Sequence, residues 1–149
     1  MKSKNLLEDS TITRSIRNCG NRLYSYWKIR FEPVFREPED LNEALMLIII
    51  LNLLSHEDYT GYGLSEEVRK IIASKIKWRD LYIYLFLKRF ENERVLKSYW
   101  IEISPKRKRK YYSILERGTK RLEELKSQFT DELKIRYGDI YDKIEKDIN

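Results

Sequence analysis

The run from Leu45 to Leu54 constrains this chain more than any other stretch, because it is apolar throughout except for Asn52. It falls far short of the roughly 20 residues that span a bilayer, so it belongs inside a fold and not in a membrane. Asp40-Leu41-Asn42-Glu43 comes just before it. That tetrapeptide offers an N-cap acceptor and, three residues on, a carboxylate that can reach back, the pattern of a capping box. The pattern predicts a helix over 41–54. Being apolar nearly all round, such a helix has to lie at the centre of a domain, and the other elements must be layered on it.

With 149 residues there is room for one domain with a modest core and an appendage. We divide the chain into an N-terminal helical extension and connector (1–40), a central domain (41–115) and a C-terminal helix (116–149). In the first part Ile12, Ile16, Cys19, Leu23, Trp27 and Phe31 recur at steps of three and four, the period of one helical face, and Pro33 and Pro38 punctuate the connector. After a polar break at 55–60, Leu64, Val68, Ile71 and Ile72 predict a second helix. Ile83, Leu87 and Phe90 predict a third over 79–92, reached through a basic bridge at 75–80. Residues 96–103 and 111–115 are aromatic and β-branched, and Ser104 to Lys110 lies between them as a turn with an unbroken basic tip; this reads as a β-hairpin. A hairpin directly after three short helices is a wing. The fold class is mainly α with a small β-hairpin: a winged helix-turn-helix carrying a helical extension at each end.

The last part shows an apolar stripe of Leu122, Leu125, Phe129, Leu133, Tyr137, Ile140 and Ile144. A continuous helix of roughly 30 residues would be about 45 Å long, more than so small a domain can cover. A stripe left exposed needs a partner, and a second copy of the chain is the simplest one, so these seven residues are the expected homodimer interface. Gly138 is placed to kink the helix or to end a first segment.

The formal charge of +6 is concentrated. Between Arg69 and Lys110 stand 14 basic side chains against Asp80, Glu91, Glu93 and Glu102, a local net of +10. A basic surface of this kind is the footprint of a polyanion binder. Lys106, Arg107, Lys108, Arg109 and Lys110 at the hairpin tip would run along a phosphate backbone or dip into a minor groove. Lys75, Lys77 and Arg79 sit where the turn meets the third helix, the end that approaches bases and phosphates in helix-turn-helix docking; ion pairs with Glu66 or Glu67 are the competing reading. Tyr82, Tyr84 and Lys88 complete the candidate contacts to double-stranded DNA. The outward side of that helix, with Trp78, Leu81, Leu85 and Lys88, offers few hydrogen-bonding groups for base readout. Recognition through DNA shape, or cover by the N-terminal helix, would each account for that.

Other classes of function find little support. One cysteine, Cys19, and one histidine, His56, exclude a disulfide framework and a His-rich zinc site, and no cofactor is expected. The chain shows neither a nucleophilic Ser/His/Asp or Cys/His set nor a Gly-rich phosphate loop after a strand, and the pairs Glu66-Glu67 and Glu123-Glu124 read as solvated helix faces. We expect no enzyme activity. The N-terminus lacks the apolar core of a signal peptide, so a cytoplasmic protein without a membrane partner is expected.

Three segments resemble the PadR-like transcriptional regulators, over residues 41 to about 125. LIIILNLLSHEDYTGYGLSEEVRK is similar to the family's first two helices, with its Gly-Tyr pair at Gly61-Tyr62. YIYLFLKRFENERVL matches the family's tyrosine-containing helix motif through Ile83, Tyr84, Leu87, Lys88, Arg89, Phe90 and Glu91. RKYYSILERGTKRLEEL is the nearest segment, with Gly118 opening the last helix. Arg94 stands where the family usually has a glycine, and Tyr82 where it has a small threonine. The resemblance implies a homodimer, swapped or paired through its C-terminal helices, that represses genes from near-palindromic operators. It also brings in a small aromatic effector as a candidate ligand, with Trp27 and Trp100 as candidate pocket residues. A sequence-tolerant architectural DNA binder and a winged helix used for protein contacts stay open as alternatives.

Overall fold

The computed structural model describes residues 35–73, 75–76 and 79–146; the expected helix over 10–31, Lys77 and Trp78 lie outside them. Residues Glu37–Asn149 form one compact unit. It contains α1 (Leu41–His56), β1 (Tyr59–Thr60), α2 (Gly61–Ile72), α3 (Asp80–Asn92), β2 (Leu96–Ser104), β3 (Arg107–Ile114) and α4 (Glu116–Lys146).

The capping box forms at the start of α1. The Glu43 amide donates to Asp40 Oδ1 at 2.8 Å, and Glu43 Oε2 accepts from the Glu39 amide at 3.0 Å. From there Ala44 to Leu54 are buried without interruption. α4 covers one side of the helix, with α2 and β3 also packed on it. Asn52, the polar residue in the run, accepts at its Oδ1 from the Lys126 ammonium of α4 at 3.1 Å, so its burial leaves no orphaned acceptor. Burial pushes the Lys126 pKa below its ordinary value, against the opposing pull of Glu145 and Glu123.

The hairpin is longer and tighter than the sequence suggests. β2 and β3 pair antiparallel from Leu96↔Ile114 out to Ser104↔Arg107, so only Pro105 and Lys106 are left to turn the chain. Arg107 to Lys110 are therefore strand residues and not a flexible tip. Successive side chains of a strand point to opposite faces, which keeps neighbouring cations apart and lets the ladder continue through them. Between Glu102 and Ser104 the register shifts, a bulge of the sort that bends and twists a strand end. The polar stretch before α2 supplies a strand that its sequence does not announce: Tyr59 and Thr60 pair with Tyr112 and Tyr111, which gives a three-stranded sheet in the order β1-β3-β2.

α4 breaks beside Gly138, where a kink or segment end is expected, but the fate of its apolar stripe departs from expectation. Tyr137 has non-helical angles (φ −130°, ψ 41°), and the chain beyond it folds back. The Tyr141 hydroxyl lies 2.7 Å from Thr130 Oγ1, and Lys134 Nζ is 3.1 Å from Glu145 Oε1. Each pair is eleven residues apart, which an unbroken helix would hold about 16 Å apart along its axis. The stripe is thus largely consumed inside the protomer: Leu122, Leu125, Leu133, Ile140 and Ile144 are buried in the unit's own core. Their burial, with that of Tyr141, compensates for the break, which falls beside the poor helix former Gly138.

At the other end of α4, a Cβ on Gly118 would come within 2.5 Å of the Val95 carbonyl and 2.7 Å of Ile114 Cγ1. The bare backbone at this position lets the helix start directly against the base of the wing.

Candidate nucleic-acid interface

α3 is positioned from both ends. At its start, Asp80 accepts from Ser65 Oγ at 2.8 Å and pairs with Arg69, both on α2. At its end, the Arg94 amide donates to the Glu91 carbonyl at 3.1 Å and the Val95 amide to the Phe90 carbonyl at 2.8 Å. Those two bonds, with Val95 and Phe90 both buried, make a Schellman motif. Arg94 occupies its left-handed position at φ 58°, so the turn into the wing is kept although the side chain there is not glycine. Along its length Ile83, Leu87 and Phe90 face the core. Arg89 lies against Glu43 at 2.9 Å, which ties α3 to the first turn of α1.

The opposite face of α3 is open. Leu81 is 62% exposed and Leu85 57%. With Lys88 and Asn92, also exposed, they fall at i, i+4, i+7 and i+11, a single line along the helix. Tyr82 and Tyr84 flank this line, about half exposed. The Tyr84 ring lies over Gly61, where an added Cβ would come within 2.7 Å of it; this closeness accounts for a glycine at the head of α2. The next residue, Tyr62, is 71% exposed. Site assignment from sequence passes over Tyr62. The clue is available, since an aromatic side chain sits on the polar side of an otherwise strongly amphipathic α2.

The cations separate into two groups. Lys106, Arg107, Lys108 and Arg109 are exposed, and no ion pair engages them among the described residues. Lys110 turns back instead, 3.5 Å from Glu91 and 5.4 Å from the Tyr112 ring centre. Lys75 is likewise engaged, at 2.7 Å from Asp139 in the folded-back part of α4. The hydrogen bond and charge of Lys75 hold the Asp139 carboxyl below its ordinary pKa. Neither of the carboxylates considered as partners for Lys75 is used: Glu66 pairs with Arg69 and Glu67 with Lys70. Arg79 is exposed at the N-cap of α3.

The wing is braced near its base. Tyr99 and Tyr111 stack across the strands at 5.8 Å, and the Tyr99 hydroxyl donates to the Asp58 carboxylate, which raises the Tyr99 pKa. Trp100, opposite Lys110, is 63% exposed and stands at the surface of the protomer. Among the described residues there is no group of three or more His, Cys, Asp or Glu suited to a metal ion, and no helix long and apolar enough to cross a membrane.

Three helices, a short third strand and a basic two-stranded wing define a winged helix-turn-helix protein. Residues 50–124 match the model of the PadR-like transcriptional regulator family, and the chain belongs to that family. It is similar to the PadR family transcription regulator of Clostridium difficile, with 30% identity and a TM-score of 0.51 over 60% of this chain and 92% of that one. It is also similar to a transcriptional regulator of Clostridium thermocellum, with 26% identity and a TM-score of 0.57 over 65% and 94%. An uncharacterised protein of Lysinibacillus sphaericus is 30% identical over 83 residues, 56% of this chain and 76% of that relative. The family is one of regulators and not of enzymes.

Proposed function

We propose that this chain is a cytoplasmic repressor that acts as a homodimer on near-palindromic duplex DNA, with α3 in the major groove and the β2–β3 wing on the flanking backbone or minor groove. The observation that carries this reading is the pairing of an uncovered α3 face with four exposed wing cations that lack ion-pair partners among the described residues. Protein carboxylates neutralise Arg69, Lys70, Lys75 and Arg89, whereas Lys106, Arg107, Lys108 and Arg109 are left available to phosphates. Arg79, at the leading end of α3, sits where docked helices meet the backbone, and the exposed side chains of Tyr62 and Tyr84 extend that edge.

Family membership supports dimerisation; an uncovered stripe along α4 does not, because most of that stripe is buried within the protomer. Of the seven stripe residues, Phe129 and Tyr137 alone are still partly exposed, and Ile135 beside them is 88% exposed. These three side chains are the part of α4 left for a second copy.

Selection from a random duplex pool at about 0.15 M salt, where exposed charges are appreciably screened, tests the proposal. Enrichment of a palindrome with half-sites about one helical turn apart supports a dimeric regulator. Bound DNA without a shared motif would favour a sequence-tolerant binder, and recovery of no DNA would favour protein contacts. Replacing Lys106, Arg107, Lys108 and Arg109 by Gln should weaken binding to every duplex. The slope of log affinity against log salt should fall by up to about 0.9 for each phosphate that is no longer neutralised. Unchanged affinity and slope would remove the wing from the interface.

A further inference from the structure

The exposed face of α3 carries an apolar surface where a DNA-reading helix is ordinarily polar. Leu81 and Leu85 are on its first two turns, the part that reaches base edges in helix-turn-helix docking, and both are more than half exposed. Neither gives or takes a hydrogen bond, so neither can read the donor and acceptor pattern of guanine, cytosine or adenine. In the major groove the C5-methyl group of thymine is the one base feature that an aliphatic side chain recognises.

Charge complementarity favours DNA over a protein partner on this face. Arg79 precedes the leucines, Lys88 follows them in the same line, and no ion pair engages either among the described residues. The four available wing cations belong to the same unit. A protein-docking patch is also rimmed by polar groups, but here the charges that bracket the leucines at both ends are of one sign, the footprint of a polyanion binder. Four residues of helix place Leu81 and Leu85 about 6 Å apart, which for a helix lying along the major groove puts them over neighbouring base pairs.

We infer that Leu81 and Leu85 of α3 select operators by contact with thymine methyl groups, so that each half-site carries thymines at neighbouring base pairs. This inference rests on the proposed DNA-binding role. It assigns the specificity of α3 to methyl contact, with Arg79, Lys88 and the wing supplying attraction to the backbone without regard to sequence.

The test uses the full chain and the tightest duplexes recovered from the random pool, resynthesised with deoxyuridine in place of thymidine. That exchange removes the methyl and leaves the hydrogen-bonding edge unchanged. Loss of one buried methyl corresponds to about fourfold in affinity, so affinity should fall by about fourfold for each contacted thymine. Putting 5-methylcytosine at a contacted position, paired with guanine, should retain more affinity than unmodified cytosine there. The double variant L81A/L85A, folded as judged by circular dichroism because both side chains are exposed, should bind the thymine and uracil duplexes equally. Equal binding of the two duplexes by the unaltered protein would overturn the inference and leave DNA binding intact. Failure to bind any duplex would overturn the inference together with the proposed function.

Discussion

α1 and α3 are built from similar apolar residues, but the fold treats them in opposite ways. α1 is enclosed by α4, α2 and β3, and eleven consecutive residues are buried. α3 buries only Ile83, Leu87 and Phe90 and leaves Leu81 and Leu85 uncovered. The hydrophobic effect accounts for α1 completely: side chains that cannot face water pull other elements around them. It offers no reason for α3 to hold two leucines outside. Those positions give the fold nothing that Lys or Glu, which have similar helix propensity and keep a charged end in water, would not give. The difference teaches that apolar content identifies the core in one helix and a contact surface in the other.

The largest effect that could break this comparison is on stability. Leu51→Ala in α1 removes a side chain with no exposure and should cost about 2–5 kcal/mol. Leu85→Ala in α3 should change stability by no more than about 0.5 kcal/mol while lowering DNA affinity. Chemical denaturation of both variants measures the contrast. A loss of stability at Leu85 similar to that at Leu51 would show that the α3 face is covered in solution, and the two helices would then be alike.

A smaller effect sharpens the comparison at the helix ends. α1 leaves through an extended residue, Glu57, whereas α3 ends with Arg94 held at φ 58°. The left-handed conformation costs a residue with a Cβ about 1–2 kcal/mol, and glycine returns part of that gain through the greater freedom of its unfolded chain. Arg94→Gly should therefore stabilise the domain by up to about 1 kcal/mol, read as a rise in melting temperature, with the wing unchanged. A loss of stability would mean that the Arg94 side chain supports the turn more than its backbone strains it.

What the sequence disclosed follows the same division between local and non-local causes. The capping box at Asp40 and Glu43 and the core faces of α2 and α3 depend on neighbours within a few residues, and the pairing of β2 with β3 on one turn between consecutive strands; all were legible. β1 was not. Tyr59 and Thr60 become a strand because β3 offers them a free edge, and nothing in Glu57-Asp58-Tyr59-Thr60 records it. The wing cations were legible as a charged cluster but not as strand residues, because consecutive Lys and Arg carry no alternating apolar pattern although the ladder runs through them to Ser104↔Arg107. The partner of Lys75 was not legible: Glu66 and Glu67 were the carboxylates considered, and the one it meets, Asp139, lies 64 positions away. The α4 stripe misled for a related reason. Periodicity identifies residues that want burial, but not whether the cover comes from another copy or from the same chain turned back at Tyr137. Of the candidate DNA contacts, the exposed Arg79, Tyr82, Tyr84, Lys88 and Lys106 to Arg109 keep the surface position expected of them, and Lys110 and Lys75 are drawn into ion pairs.

The Lys75–Asp139 pair is where the smallest expected effect arises, and it joins the approach to α3 with the folded-back end of α4. Asp139 has a pKa below its ordinary value of 3.8, chiefly through the hydrogen bond from Lys75. Because the folded value is the lower one, the stabilisation is present above pH 3.8 and is lost as pH falls through the depressed value, so at neutral pH the pair is intact. Both side chains are well exposed, and an exposed pair contributes little to stability. Its consequence is for charge at the approach to α3. Asp139→Asn removes one negative charge and releases Lys75. If the freed ammonium reaches a phosphate, DNA affinity at low salt should rise a few-fold and the salt slope should steepen by about 0.9, the value for one further neutralised phosphate. Binding isotherms over a range of salt concentrations read both quantities. A rise in affinity with the slope unchanged would mean that Asp139 acts by repulsion at a distance. No change in either would place Lys75 outside the interface and leave Arg79 as the described cation at the head of α3.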